Sequence, residues 1–202
     1  MAEGRDAPPG TGRIEAFSDG VIAIIITIMV LELRAPAEAF ASGHVATVIA
    51  ALGPNLVIYA LSFFLVAVML VNHHGLMRVA PRATTALFWW NANLLFWMSL
   101  IPLSTAVFGA YPKLPLAVAF YGAVLAANSI SFTQLHRCVD LIDGELLPKQ
   151  RKLLIRDTAT TALFALSVPL AYVSVYLSWA IFAILPAVYF APVSVVGREQ
   201  VE

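Results

Sequence analysis

Apolar residues in this 202-residue chain come in long runs broken by short polar stretches, and each run is on the scale of a lipid-spanning helix. Residues 13–33 form the first run. The second lies within 39–72 and centres on 46–71, because Ser42-Gly43-His44 reads as a loop. The third lies within 83–112, centres on 85–109 and closes at Gly109-Ala-Tyr-Pro112; the fourth covers about 114–135. Residues 158–197 then run for forty residues without a charged side chain. That is too long for one span and enough for two, with a tight turn expected near Ser174–Ser178. The pattern predicts an all-α integral membrane protein with six transmembrane helices and both termini on one side. Pro54, Pro102, Pro169 and Pro186 fall inside the spans, where neighbouring helices can re-satisfy the carbonyls they free. Residues 1–12 are polar and Gly/Pro-rich and read as a disordered leader, 13–197 as the transmembrane unit, and 198–202 as a short tail.

Charge distribution sets the orientation. Ten of the twelve Lys and Arg fall on the side of the termini, and only Arg34 and Lys113 on the other. The positive-inside rule then places both termini in the cytoplasm of a multi-pass protein of the plasma membrane. The longest connection, His136–Arg156, mixes Asp140, Asp143 and Glu145 with five Lys or Arg and carries an Asp143-Gly144 turn signal and a breaking Pro148. It reads as a solvated cytoplasmic loop that begins as an extension of the fourth helix.

Composition excludes whole classes of function. Charged residues make up 12% of the chain, half the share of an ordinary soluble domain, so a soluble globular fold is ruled out. Membrane embedding and a formal net charge of zero leave no basis for nucleic-acid binding. The single Cys138 permits no intrachain disulfide. Ser18, Ser99 and Ser104 have no His at the depth and spacing of a triad, and no zinc-protease, phosphate-loop or Gly-rich nucleotide motif occurs, so no enzymatic activity and no cofactor are expected.

Only the first run carries ionisable groups well inside its length: Arg13, Glu15 and Asp19 toward one end and Glu32 toward the other, flanking twelve uncharged residues. Such groups are costly in lipid and belong against protein or a water-filled path. On a helix, Gly20, Ile24, Thr27 with Ile28, and Leu31 share one stripe; Ile and Leu at this spacing form a packing seam far more often than a pore wall, and the charged ends of this helix shift the reading toward a wet or protein environment. Arg13 and Phe17 share a face, and Ser18 and Asp19 point elsewhere. Asp19 sits a turn or more inside and needs a partner. The inner ends of the second and third helices offer Asn72, His73, His74, Trp89, Trp90, Asn91 and Asn93, and Ser18 and Asp19 are expected to hydrogen-bond into that group and fix the tilt of the first helix. His73 and His74 project about 100° apart on a helix and are not expected to share a metal ion. Glu32 would draw cations to an outer mouth or serve as an ordinary helix-end carboxylate.

Arg13-x-x-x-Phe17-Ser18-Asp19, followed by Gly-Val-Ile-Ala-Ile-Ile-Ile-Thr-Ile-Met-Val-Leu-Glu-Leu, resembles the first-helix signature of the transmembrane protein 175 family, the endosomal and lysosomal potassium channel of animals and its bacterial homologues. Leu94-Leu-Phe-Trp-Met-Ser-Leu-Ile-Pro-Leu-Ser-Thr105 resembles the third helix of the same family. The resemblance implies a homotetramer in the lipid bilayer with the first helix lining a central pore. It implies a constriction at Ile24, further apolar rings at Ile28 and Leu31, and an ion-preference hydroxyl at Thr27. Hydrophobic rings gate by dewetting, and oxygens replace hydration water. No Thr-Val-Gly-Tyr-Gly segment occurs. The expectation is therefore a channel for monovalent cations with a modest preference for K⁺ over Na⁺. A secondary transporter or proton-coupled carrier would show midplane ionisable groups and usually a repeat, neither of which is visible. A non-conducting membrane scaffold would show the same apolar stripe.

Overall fold

A computed structural model describes residues 10–33, 37–41, 43–142 and 148–190, and every regular element among them is helical. Residues 1–9 of the expected 1–12 leader, residues 34–36, Ser42, the 143–147 segment with its Asp-Gly turn signal, and residues 191–202, which include the expected 198–202 tail, lie outside the described residues. Helix α1 runs Thr11–Met29 and continues as a 3₁₀ turn over Val30–Glu32. A short helix α2, Ala37–Ala41, leads into α3, Val45–Val79. Then come α4, Thr85–Ser99; α5, Ile101–Ala110; α6, Pro115–Ile142; α7, Pro148–Val173; and α8, Val175–Phe190. Among the described residues, five helical stretches are long and apolar enough to cross a bilayer: 11–32, 45–79, 85–110, 115–142 and 153–173. The apolar α8 is shorter.

Helix ends follow local chemistry. The chain enters α1 through Gly10 in a left-handed conformation, φ 94°, where an added Cβ would meet the Ala83 Cβ at 2.9 Å. The helix therefore starts at Thr11, inside the stretch expected to be a leader, and Thr11 is buried. Thr84 caps α4 by accepting from the Leu87 N–H at 3.1 Å. The expected third span is one apolar run but two helical pieces. Pro102 has no N–H to give to the preceding turn, so the chain breaks at Leu100 and resumes as α5 with Pro102 in its first turn. The break at Ser174 between α7 and α8 falls where the turn was expected.

Helix α3 overruns its expected end. Its 35 residues extend about 52 Å, well beyond the ~30 Å of a hydrocarbon core, and carry Asn72, His73, His74 and Arg78 out at one end. The expected wet loop at 136–156 is also different. Helix α6 continues through Ile142 and α7 begins at Pro148, and His136, Asp140 and Asp157 are all buried between them. His136 Nδ1 lies 2.7 Å from Asp157 Oδ2 and its Nε2 lies 3.9 Å from Asp140 Oδ2. Arg156 adds a contact of 3.3 Å to Asp157 Oδ1 and reaches Asn72 Oδ1 at 3.4 Å. The charges of this connection are thus partly spent on an internal ion cluster that ties α6 to α7.

The core forms around α6, which packs against α4, α5 and α7. Phe108, Tyr121, Trp179 and Phe182 stack and meet edge-on with centroids 4.9–6.0 Å apart, in the range of favourable aromatic pairs. The buried Tyr121 hydroxyl is matched by Ser62 at 2.9 Å, and Thr105 donates to Ser62 at 2.8 Å, joining α3, α5 and α6. Gly122 lets α6 approach α7 so closely that an added Cβ would collide with Ser167 Oγ.

Candidate functional site: the uncovered face of helix α1 and its anchor

Helix α1 packs on its own subunit through one stripe. Ser18, Ile22, Ile25 and Met29, spaced at helical intervals, are buried against α3, α4 and α5. The opposite stripe is bare. Phe17, Gly20, Ile24, Thr27, Ile28 and Leu31 are all exposed, Ile24 at 58% and Leu31 at 66%. The one stripe expected from the sequence, Gly20, Ile24, Thr27, Ile28 and Leu31, therefore lies on the uncovered face together with Phe17, and the packed stripe is its opposite. Large apolar side chains at this level of exposure demand a covering, whether lipid or protein.

Thr27 is the polar interruption of that face. Its hydroxyl donates to the Ile24 carbonyl at 2.9 Å. The proton is committed to the helix backbone, so the oxygen lone pairs are what the face presents outward. A hydroxyl held this way offers an acceptor suited to a cation. Beyond it, Glu32 in the 3₁₀ turn borders two cavities. One, of about 310 Å³, is lined by Met29, Asn55, Tyr59, Thr105 and Gly109; the other, of about 370 Å³, by Ile24, Ile28, Ser99, Pro102 and Leu103. Glu32 is half-buried and follows Leu31 at the C-terminal end of the bare face.

The N-terminal half of α1 is anchored by a directional chain of hydrogen bonds. The Asn91 amide nitrogen donates to Ser18 Oγ at 2.9 Å, and Ser18 donates to the Ile14 carbonyl at 2.8 Å. Asn91 Oδ1 accepts from His73 Nε2 at 2.8 Å, which fixes the protonated nitrogen of the imidazole. Ser18, His73 and Asn91 are each essentially inaccessible to solvent. One residue from each of α1, α3 and α4 thus meets at a single buried polar point, as expected for Ser18. Polar groups so placed are costly if unpaired, so they specify the register of the three helices.

Other members of the expected group go elsewhere. His74 Nδ1 pairs with Glu15 Oε1 at 2.5 Å. Asn93 donates to Ser131 on α6 at 2.7 Å, Asn72 accepts from Arg156, and Trp89 and Trp90 are exposed. Asp19 does not join the hydrogen-bonded chain: its Oδ1 is shielded from solvent and has no partner among the described residues. Arg13 and Phe17 both stand exposed on α1, bordering a groove shared with Ala83, Thr84 and Phe88. His73 and His74 diverge as their spacing requires, one toward Asn91 and one toward Glu15.

Sequence reasoning missed the buried His136–Asp140–Asp157 cluster. Its one local signal was the i,i+4 spacing of His136 and Asp140, which places both on one face of a helix.

Residues 13–102 match the family described as endosomal/lysosomal potassium channel TMEM175. A potassium channel of Chamaesiphon minutus is 34% identical over 192 residues, covering 90% of this chain and 93% of that one. A potassium channel of Streptomyces collinus is 33% identical over 199 residues, with 94% and 96% covered. The human endosomal/lysosomal proton channel TMEM175 is 31% identical over 116 residues, which are 54% of this chain and 23% of the human protein. Among solved structures, the crystal structure of a lysosomal potassium-selective channel TMEM175 homolog from Chamaesiphon minutus superposes with a TM-score of 0.79 at 30% identity, covering 89% of this chain and 95% of that one.

Proposed function

Because this chain belongs to the TMEM175 family, we propose that it is a potassium-permeable cation channel whose pore is walled by helix α1. The observation that carries this reading is the bare face of α1. A single subunit leaves Gly20, Ile24, Thr27, Ile28 and Leu31 uncovered, and copies arranged around an axis would turn those faces toward one another. We take the assembly to be a homotetramer, each subunit crossing the plasma membrane six times with both termini cytoplasmic and α8 as the short sixth span. Ile24 is the narrowest ring, Ile28 and Leu31 are further apolar rings, and Glu32 lies at the outer mouth. Apolar rings exclude water when close and conduct when spread.

Preference for K⁺ over Na⁺ is modest in this reading. The acceptor offered to a permeant ion is the Thr27 oxygen, one layer per ring of subunits, rather than a ladder of backbone carbonyls. No cofactor is needed beyond the permeant ion. Arg13, Phe17, Ser18, Asp19 and His73 serve the position of α1 rather than the ion.

The test is electrical. Purified protein in planar bilayers, in opposed K⁺ and Na⁺ gradients, should pass a passive current that reverses toward the potassium equilibrium potential, and Ile24→Ala should raise conductance. An assembled protein silent in both forms would overturn the pore assignment.

A further inference from the structure

Glu15 and Asp19 stand one turn apart on α1, and α3 brings His74 against them. One ligand atom from each of the three lies within 4.8 Å of the others, and all three residues are half-buried. Two neighbouring atoms are electrically unsatisfied. Asp19 Oδ1 and His73 Nδ1 are both closed to solvent and lack a hydrogen-bond partner among the described residues. His73 itself is wholly buried, and its ring lies within the electrostatic reach of both Asp19 and Glu15. Because His73 gives its Nε2 proton to Asn91, its Nδ1 is a lone pair. A carboxylate oxygen and an imidazole lone pair, both desolvated, call for a positive charge or a donor between the helices.

The donor set says which charge. One imidazole nitrogen with two carboxylates is a borderline set, suited to a divalent transition ion, whereas Ca²⁺ takes six to eight oxygens. Three protein ligands leave one position of a tetrahedral ion for water. An open cavity of about 460 Å³ lined by Asp19, Leu70, Val71 and His74 supplies the approach and the room for that water.

We propose that Glu15, Asp19 and His74 form a Zn²⁺-type site that staples the inner end of α1 to α3. Binding itself is independent of what α1 lines. Its consequence, that a bound ion holds α1 still and lowers current, rests on the pore reading above.

The test uses the full chain, purified through chelator and titrated with zinc chloride by calorimetry, with magnesium chloride as the control. The expected result is one Zn²⁺ per subunit, a higher melting temperature with zinc, and no comparable response to magnesium. Glu15→Gln and His74→Gln should each weaken binding by roughly tenfold or more. The exchange E15H/H74E keeps the donor set and should recover binding, which separates lost ligands from lost folding. No zinc uptake by the wild type, or uptake unchanged in both single variants, would overturn the site. Zinc bound as expected with currents that do not respond would keep the site and overturn its coupling to conduction.

Discussion

Ser18→Ala and Asn91→Ala, made singly and together, test whether the buried polar point is a connected unit. In Ser18→Ala the Asn91 amide nitrogen loses its acceptor in a site closed to water, a cost of about 1–3 kcal/mol. Asn91→Ala removes the bonds to both Ser18 and His73 and leaves a small void, so about 2–4 kcal/mol is expected. In the Asn91→Ala background the Ser18 hydroxyl still donates to the Ile14 carbonyl, but it no longer satisfies anything on α4. Removing it there should cost little. The cycle therefore predicts a favourable coupling of about 1 kcal/mol, within the range measured between membrane helices. Reversible unfolding in mixed detergent micelles, read by tryptophan fluorescence, gives the three free energies. Equal costs of Ser18→Ala in the two backgrounds would refute the claim that these residues act together, whatever their separate importance.

Gly122→Ala should destabilise by about 1–3 kcal/mol by the same assay, because its methyl has no room beside Ser167, and Ser167→Ala should return part of that loss. His136→Ala leaves Asp140 and Asp157 facing each other without the imidazole, and about 3 kcal/mol should be lost; a cost below about 1 kcal/mol would show that the cluster is not electrostatically closed. Thr27→Val keeps shape and removes the outward oxygen, so under the pore reading the reversal potential in opposed K⁺ and Na⁺ should move toward zero while current persists. A reversal potential unmoved by that substitution would remove Thr27 from ion preference.

Much of the fold could be read from runs of apolar residues because lipid makes the helix the only economical answer for each run. The Ser174 break and the anchoring of Ser18 by Asn91 and His73 followed from span length and from the need to pair a polar group at depth. Three features did not. The overrun of α3 to Val79 depends on polar Asn72, His73 and His74 finding partners on other helices, which no local window registers. The interruption at Leu100 turns on one missing N–H inside an otherwise uniform apolar run. The burial of Asp157 against His136 joins residues 21 positions apart across a charged connection, and charge there read as a sign of water. For the candidate site, the sequence pattern could name the stripe of Ile24, Thr27, Ile28 and Leu31 but not distinguish a packed seam from a bare wall. The packing of Ile22, Ile25 and Met29 decides that within one subunit.

The length of α3 makes it a lever. Pro54 interrupts its hydrogen-bond ladder about twenty residues from His73, so a 10° bend there swings the far end by roughly 5 Å, close to one helical pitch. That end holds α1 through Asn91 and Glu15. A small bend at Pro54 would thereby be geared up into a larger displacement of the N-terminal half of α1, without any change in the lengths of the bonds that join the helices.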